Sequence, residues 1–273
     1  MIFDSPFMMM ALWAGLLSSI SSGVIGSYVV VRRISFIAGG IAHSVLAGLG
    51  FSLWANRVLG WSWLHPLAGA FAAAIGSALL LGYVQLRYRQ REDALIAAIW
   101  STGMAIGVIF ITLTPGSAGE LMNFLFGNIL WVTAVDIWSL LVLDVLVLGI
   151  VGYYYRSFLA LCFDEEQAVL QKVKVQRLYL LLLCLVAISI VLLIQIIGTI
   201  LVLALLTIPA TIAALFTTRL WTMMLLSCAL GAFFNLVGLE LSHLLNWPPG
   251  ATIALLAALG YLFTLVLKRE RTA

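Results

Sequence analysis

LYLLLLCLVAISIVLLIQIIGTILVLALLTIPATIAALFT, residues 178–217, holds no charged side chain. As one unbroken α-helix rising 1.5 Å per residue it would reach about 60 Å, whereas the hydrocarbon of a bilayer is about 30 Å thick and takes about 20 apolar residues to cross. The chain must turn within this run. The turn falls at QIIGTI, Gln195 to Ile200, where Gly198 divides the run into 178–197 and 199–217. Each half has the length of one span, so the pair already marks a membrane protein.

Working outward, the same criterion selects 7–31, 39–56, 64–84, 93–113, 136–155, 220–242 and 249–267. The expectation is an all-α, polytopic membrane protein of eight or nine transmembrane helices, forming a single domain over 1–273. Hydrophobic residues make up 64% of the chain and charged residues 9%, against about 25% charged in a soluble domain. The mean hydropathy is +1.16. Outside short loops there is no basic stripe, so nucleic acid is excluded as a partner. Cys162, Cys184 and Cys228 are scattered without metal-binding spacing and read as apolar residues. The start, MIFDSPFMMM, lacks the basic stretch of a cleavable signal, so the first apolar run reads as a retained span.

Basic residues set the orientation. With 156–177 placed in the cytoplasm and the loops alternated, 13 of the 14 Lys and Arg residues fall inside and only Arg57 outside. This puts the N-terminus outside and the C-terminus inside. The segment 114–135 then lies outside or dips back. Its apolar core, Leu121 to Val132, is too short to span, and Pro115, Gly116 and Gly119 are expected to break the helix before it. A re-entrant or interfacial piece over about 116–133, packed against other helices, satisfies its backbone.

One cytoplasmic connection is long: RSFLALCFDEEQAVLQKVKVQRL, Arg156 to Leu178. Asp164, Glu165 and Glu166 open a short helical pattern, over about 164–175, that Lys172 and Lys174 close, as the helix dipole favours. Ala168, Val169 and Val173 supply an apolar edge. The pattern fits a connector lying on the membrane surface or a short docking helix for a cytoplasmic partner. No phosphate-binding GxxxxGK[ST] occurs. If ATP drives this protein, another chain binds it.

Several stretches together resemble a known family. VVVRRISFIAGGIAHSVLAGLG is similar to a segment RRM-F-x-G-x-x-x-x-H-x-x-L-x-G that follows the family's first span. LFGNILWVTAVD resembles its GNIL segment ending in aspartate, and FDEEQAVLQKV its coupling helix. QIIGTILVLALLTIPATIA and PPGATIALLAALGYL resemble the two sequences that mark its C-terminal half. The family is the metal-ion permeases of ABC importers, which carry zinc, manganese or iron, and the resemblance runs in order over nearly the whole chain. It implies the larger type II importer fold, a homodimer of permeases, two cytoplasmic ATPases and an extracytoplasmic metal-binding protein, in a bacterial inner membrane. It implies no catalysis on this chain and no permanently bound cofactor. The transported metal is the substrate, zinc first, and ATP is used by the partner.

In the family motif an aspartate often stands four residues before the histidine, on the same helical face. Here that position is Gly39, so the partner of His43 is missing. His43 either lines the permeation path or donates to a neighbouring backbone carbonyl. Asp136 matches the family's aspartate and stands at the start of a span, where it either caps the helix or serves the path. Asp144 lies two turns deeper, does not match the usual pattern, and is expected to face the bundle or a subunit interface. Glu240 and His243 have the i, i+3 spacing of metal ligands in helical bundles. They stand near the outer end of a span, where the bland reading is a wetted helix end. His65 precedes Pro66 at an outer helix start and reads as a surface histidine. Gln195, Gly198 and Pro209 carry a conformational signal, since Gly and Pro interrupting apolar segments point to broken helices beside a pathway.

Imidazole without the neighbouring carboxylate tilts the metal toward zinc, because manganese prefers oxygen ligands. The alternative is a stand-alone secondary cation transporter, which would show paired carboxylates at mid-membrane depth, where only Asp144 stands. An intramembrane metalloenzyme would show HExxH or convergent His and Asp, and neither is present.

Overall fold

The computed structural model describes residues 6–88, 92–127, 129–163 and 174–272. Ten α-helices occur among them: α1 Pro6–Val31, α2 Ser35–Arg57, α3 Pro66–Tyr88, α4 Glu92–Thr112, α5 Ala118–Phe126, α6 Ala134–Phe163, α7 Val175–Ile197, α8 Thr199–Phe216, α9 Leu220–Leu245 and α10 Pro249–Thr272. A 3-10 turn, Ile129–Trp131, follows α5. Among the described residues nine helices, all but α5, are long and apolar enough to cross a membrane. They match the expected spans within a few residues, with one exception.

The exception is α6, which continues to Phe163 rather than stopping near Tyr155. Arg156 resembles a span boundary in the sequence, but a long cationic side chain can carry its charge outward while its stem stays on apolar surface. No Gly or Pro lies between Arg156 and Phe163 to stop the helix. The short 118–131 piece is helical and cannot span, as expected, but Gly119 lies inside α5 and breaks nothing. The break before α5 falls at Gly116, one of the expected positions, whose φ is +73°.

The chain divides into two compact units: 1–31, 126–150 and 195–273 in the first, and 32–125 with 151–194 in the second. In the second unit α2 is the central helix, packed on α3 and α4. Small residues allow this packing. A Cβ on Gly103 would come 2.7 Å from the Cα of Ser44, and one on Gly50 would come 2.7 Å from the carbonyl oxygen of Gly107. Backbones this close maximise dispersion contact where lipid removes the hydrophobic drive between helices. Arg32 donates from Nη1 to the Leu161 carbonyl at 2.8 Å. Its guanidinium lies 5.4 Å from the Tyr179 ring centre, which holds the charge at the end of α6.

In the first unit α1 packs on α8 and α9, and α10 lies against α8 and α9. Asn235, 1% exposed on α9, donates to the Gly15 carbonyl at 2.8 Å and to Ser19 Oγ at 2.9 Å on α1. A buried amide in an apolar bundle needs such partners, and here they pin the register of α1 on α9.

The decisive turn between α7 and α8 is a single residue. Gly198 has φ +80° and ψ 161°, a region that side chains other than hydrogen do not tolerate. Opposite it stands Gly127, with φ +68°. A Cβ on either glycine would fall on the backbone of the other. Gly250, near the start of α10, closes the third side, since a Cβ there would come 2.8 Å from the Phe126 carbonyl oxygen.

Candidate functional site

His43 stands two turns into α2 and is half-buried. Its imidazole stacks on the indole of Trp100 on α4, with ring centres 4.2 Å apart and planes 12° apart. An aromatic pair of this kind contributes about 0.5–1.5 kcal/mol beyond burial. His43 Nδ1 is buried and has no hydrogen-bond partner among the described residues. The expected donation to a backbone carbonyl is therefore not made through that nitrogen. Gly39 lies one turn before His43, and a Cβ there would meet only Cζ3 of Trp100, at 3.7 Å.

Asp136 is engaged locally. Thr133 donates to its Oδ2 from the backbone N–H at 2.9 Å and from Oγ1 at 2.7 Å. Thr133 immediately precedes α6 and Asp136 is its third residue, so the pair acts as a capping box. His65 plays a similar part at α3, where its Nδ1 accepts from the Leu67 N–H at 3.3 Å.

Glu240 and His243 share the C-terminal part of α9. His243 is exposed and lines a pocket of about 250 Å³ with Met8, Ser242, Asn246 and Trp247, whereas Glu240 is half-buried and is not among the lining residues. The pocket lies where α9 ends: Asn246 adopts φ +53°, and Ser242 Oγ donates to the Trp247 carbonyl at 2.6 Å. Among the described residues no three of His, Cys, Asp and Glu come together as a metal cluster.

Asp144 is 4% exposed on α6 and accepts at Oδ1 from the hydroxyl of Ser21 on α1. Its Oδ2 has no partner among the described residues. The expectation that Asp144 faces the bundle holds within the first unit, and its partner, which the sequence did not identify, is Ser21. Removing one member of a buried polar pair costs about 1–3 kcal/mol. Ser21→Ala should therefore lower the detergent-extracted thermal midpoint by several degrees, while Asp144→Asn, which can still accept from Ser21, should leave it level or higher. Equal midpoints for Ser21→Ala and the parent chain would remove the pair from the fold's stabilising contacts.

Gln195 is exposed near the end of α7. Pro209 is buried within α8, which continues through it. There Thr207 Oγ1 donates to the Leu203 carbonyl and Thr211 Oγ1 to the Thr207 carbonyl, each at 2.7 Å. Asp164, Glu165, Glu166, Ala168 and Val169 lie outside the described residues. Trp100, Ser21 and Gly127 matter to these sites and were not legible as such. Each acts through a residue far away in sequence, and an aromatic, a serine and a glycine in apolar runs carry no periodic signal of their own.

A model described as the ABC 3 transport family matches residues 4–268. The chain is 48% identical over 257 residues to a Chlamydia pneumoniae protein named "Probable metal transport system membrane protein", covering 94% of this chain and 87% of that one. It is 33% identical over 253 residues to the manganese transport system membrane protein MntC of Listeria innocua, covering 93% and 88%. Among solved structures, a chain of PsaBC from Streptococcus pneumoniae in complex with Fab superposes with a TM-score of 0.84 at 28% identity, covering 96% of this chain and 92% of that one.

Proposed function

Because the chain belongs to the ABC 3 transport family, and is thus a metal-transport permease rather than an enzyme, we propose that it is the membrane subunit of an importer of divalent transition metals, zinc first. The single observation that supports zinc is His43: an uncommitted imidazole nitrogen, with glycine rather than a carboxylate one turn away. Imidazole suits zinc and other late first-row metals better than manganese. A manganese reading has its own support in the relatives named for manganese transport, such as MntC.

In this reading two copies form the membrane domain, with 1–273 acting as one permease domain in each. Two cytoplasmic ATPases supply the drive, and an extracytoplasmic protein delivers the metal. The N-terminus lies outside and the C-terminus inside, as the distribution of basic residues supports. His243 and Glu240 serve the metal's entrance, and Asp136 the path or its gate. Gln195, Gly198, Pro209 and Gly39 serve the conformational change. The segment with Asp164, Glu165, Glu166, Ala168 and Val169 docks in the ATPase and passes on its rigid-body motion.

The test is reconstitution of the chain with its ATPase in vesicles loaded with a zinc- or manganese-sensitive dye. ATP-dependent zinc entry exceeding manganese entry is expected. Manganese entry without zinc would replace the cargo, and entry independent of ATP would favour the stand-alone transporter. In the same vesicles Glu166→Lys should cut metal entry per ATP hydrolysed by about tenfold or more, the loss of one oriented contact. An unchanged ratio would sink the docking role of this segment.

A further inference from the structure

The stack of His43 on Trp100 joins two helices, α2 and α4, at a point where the histidine's buried Nδ1 is committed to nothing among the described residues. A flat indole 4.2 Å from the imidazole and 12° from parallel restricts rotation of that ring, because a rotated imidazole would lose the face-to-face contact. The same indole reaches over Gly39, where a Cβ would meet Cζ3 in ordinary contact at 3.7 Å. The imidazole is thus oriented by an aromatic face rather than by a hydrogen bond. Its Nδ1 makes no hydrogen bond among the described residues, and the indole N–H, the one polar group of Trp100, is not its partner. Hydrogen-bonded partners usually orient metal-binding histidines; here the orienting element is a π-face.

We propose that Trp100 is a positioning residue for metal passage: it holds the His43 ring in one orientation by stacking, without taking up its Nδ1 in a hydrogen bond. This rests on the reading of His43 as a path residue. A ligand held in this way presents a donor without the extra bond that would tighten the site, which is what a conduit needs.

The test uses the reconstituted complex with its ATPase and zinc as the transported ion. Trp100→Phe keeps a flat ring, whereas Trp100→Met fills similar space without one. Maximal zinc entry should stay within about threefold of the parent for Trp100→Phe and fall about tenfold for Trp100→Met, with the half-saturating concentration little changed. The His43→Ala, Trp100→Met double variant should be no slower than His43→Ala alone, because Trp100 acts through His43. The chain has only three histidines, so acylation of His43 by diethyl pyrocarbonate can be followed by mass spectrometry. It should quicken in Trp100→Met and not in Trp100→Phe.

Equal entry by the Phe and Met variants, or losses that add in full to His43→Ala, would overturn the proposal. Trp100→Leu replaces Trp100→Met if the latter does not assemble. Failure of both to assemble, with Trp100→Phe intact, would assign Trp100 to folding and also overturn it. If the parent complex carries no metal, the functional reading fails first. If it does carry metal and the Phe and Met variants are equal, only this inference fails.

Discussion

Gly198→Ala and Gly127→Ala should each strip the membrane of folded chain. Both positions combine a left-handed backbone, φ +80° and +68°, with a neighbour that leaves no space for a methyl group. A Cβ on Gly198 would overlap Phe126 and Gly127, and one on Gly127 would overlap Ile197 and Gly198. Forcing an L side chain into such a conformation costs about 1–3 kcal/mol. The overlap falls on backbone rather than on a side chain that could rotate away, so the total should exceed about 3 kcal/mol, the range of the most damaging single substitutions. Size-exclusion chromatography of a fluorescent fusion after mild detergent extraction reads the outcome. A single folded peak at the parent's position, with a thermal midpoint within experimental error, would mean that the two glycines do not cross as described. Gly119→Ala is the control, because nothing lies within 4 Å of a Cβ there and Gly119 is already helical.

The second large effect concerns transport rather than folding. His43→Ala should lower initial zinc entry by about tenfold or more, equivalent to about 1.4 kcal/mol of lost stabilisation for the passing ion, while the complex still co-purifies with its ATPase. The side chain is half-buried and its Nδ1 makes no hydrogen bond within the described residues. Its removal therefore orphans no buried partner and forfeits the Trp100 stack, which is a modest cost to the fold. Normal zinc entry in His43→Ala would reduce His43 to a packing residue.

Much of this architecture was legible before any coordinates. The nine apolar runs, the turn at Gly198 and the inability of 118–131 to span follow from length and composition, because a bilayer admits few solutions for a polar backbone. Span ends were less legible. The α6 helix outruns its apolar run because helix termination needs a breaker, and Arg156 is not one. Two candidate sites changed character. Asp136 was legible as a cap or a path residue, and the structure shows its carboxyl taken up by Thr133. Glu240 and His243 share a helix, yet only His243 reaches the pocket, since spacing along one helix says nothing about what lies opposite.

The sequence by itself determined the membrane as solvent, the order of the eight or nine expected spans, and the family, because each of these is written in local runs and motifs. Only the tertiary structure decided which residues answer one another: Gly127 against Gly198, Ser21 against Asp144, and Trp100 against His43. These pairs lie 57 to 123 positions apart along the chain. They meet because small residues let helix backbones approach until a glycine, a hydroxyl or an aromatic face is what fits the remaining space.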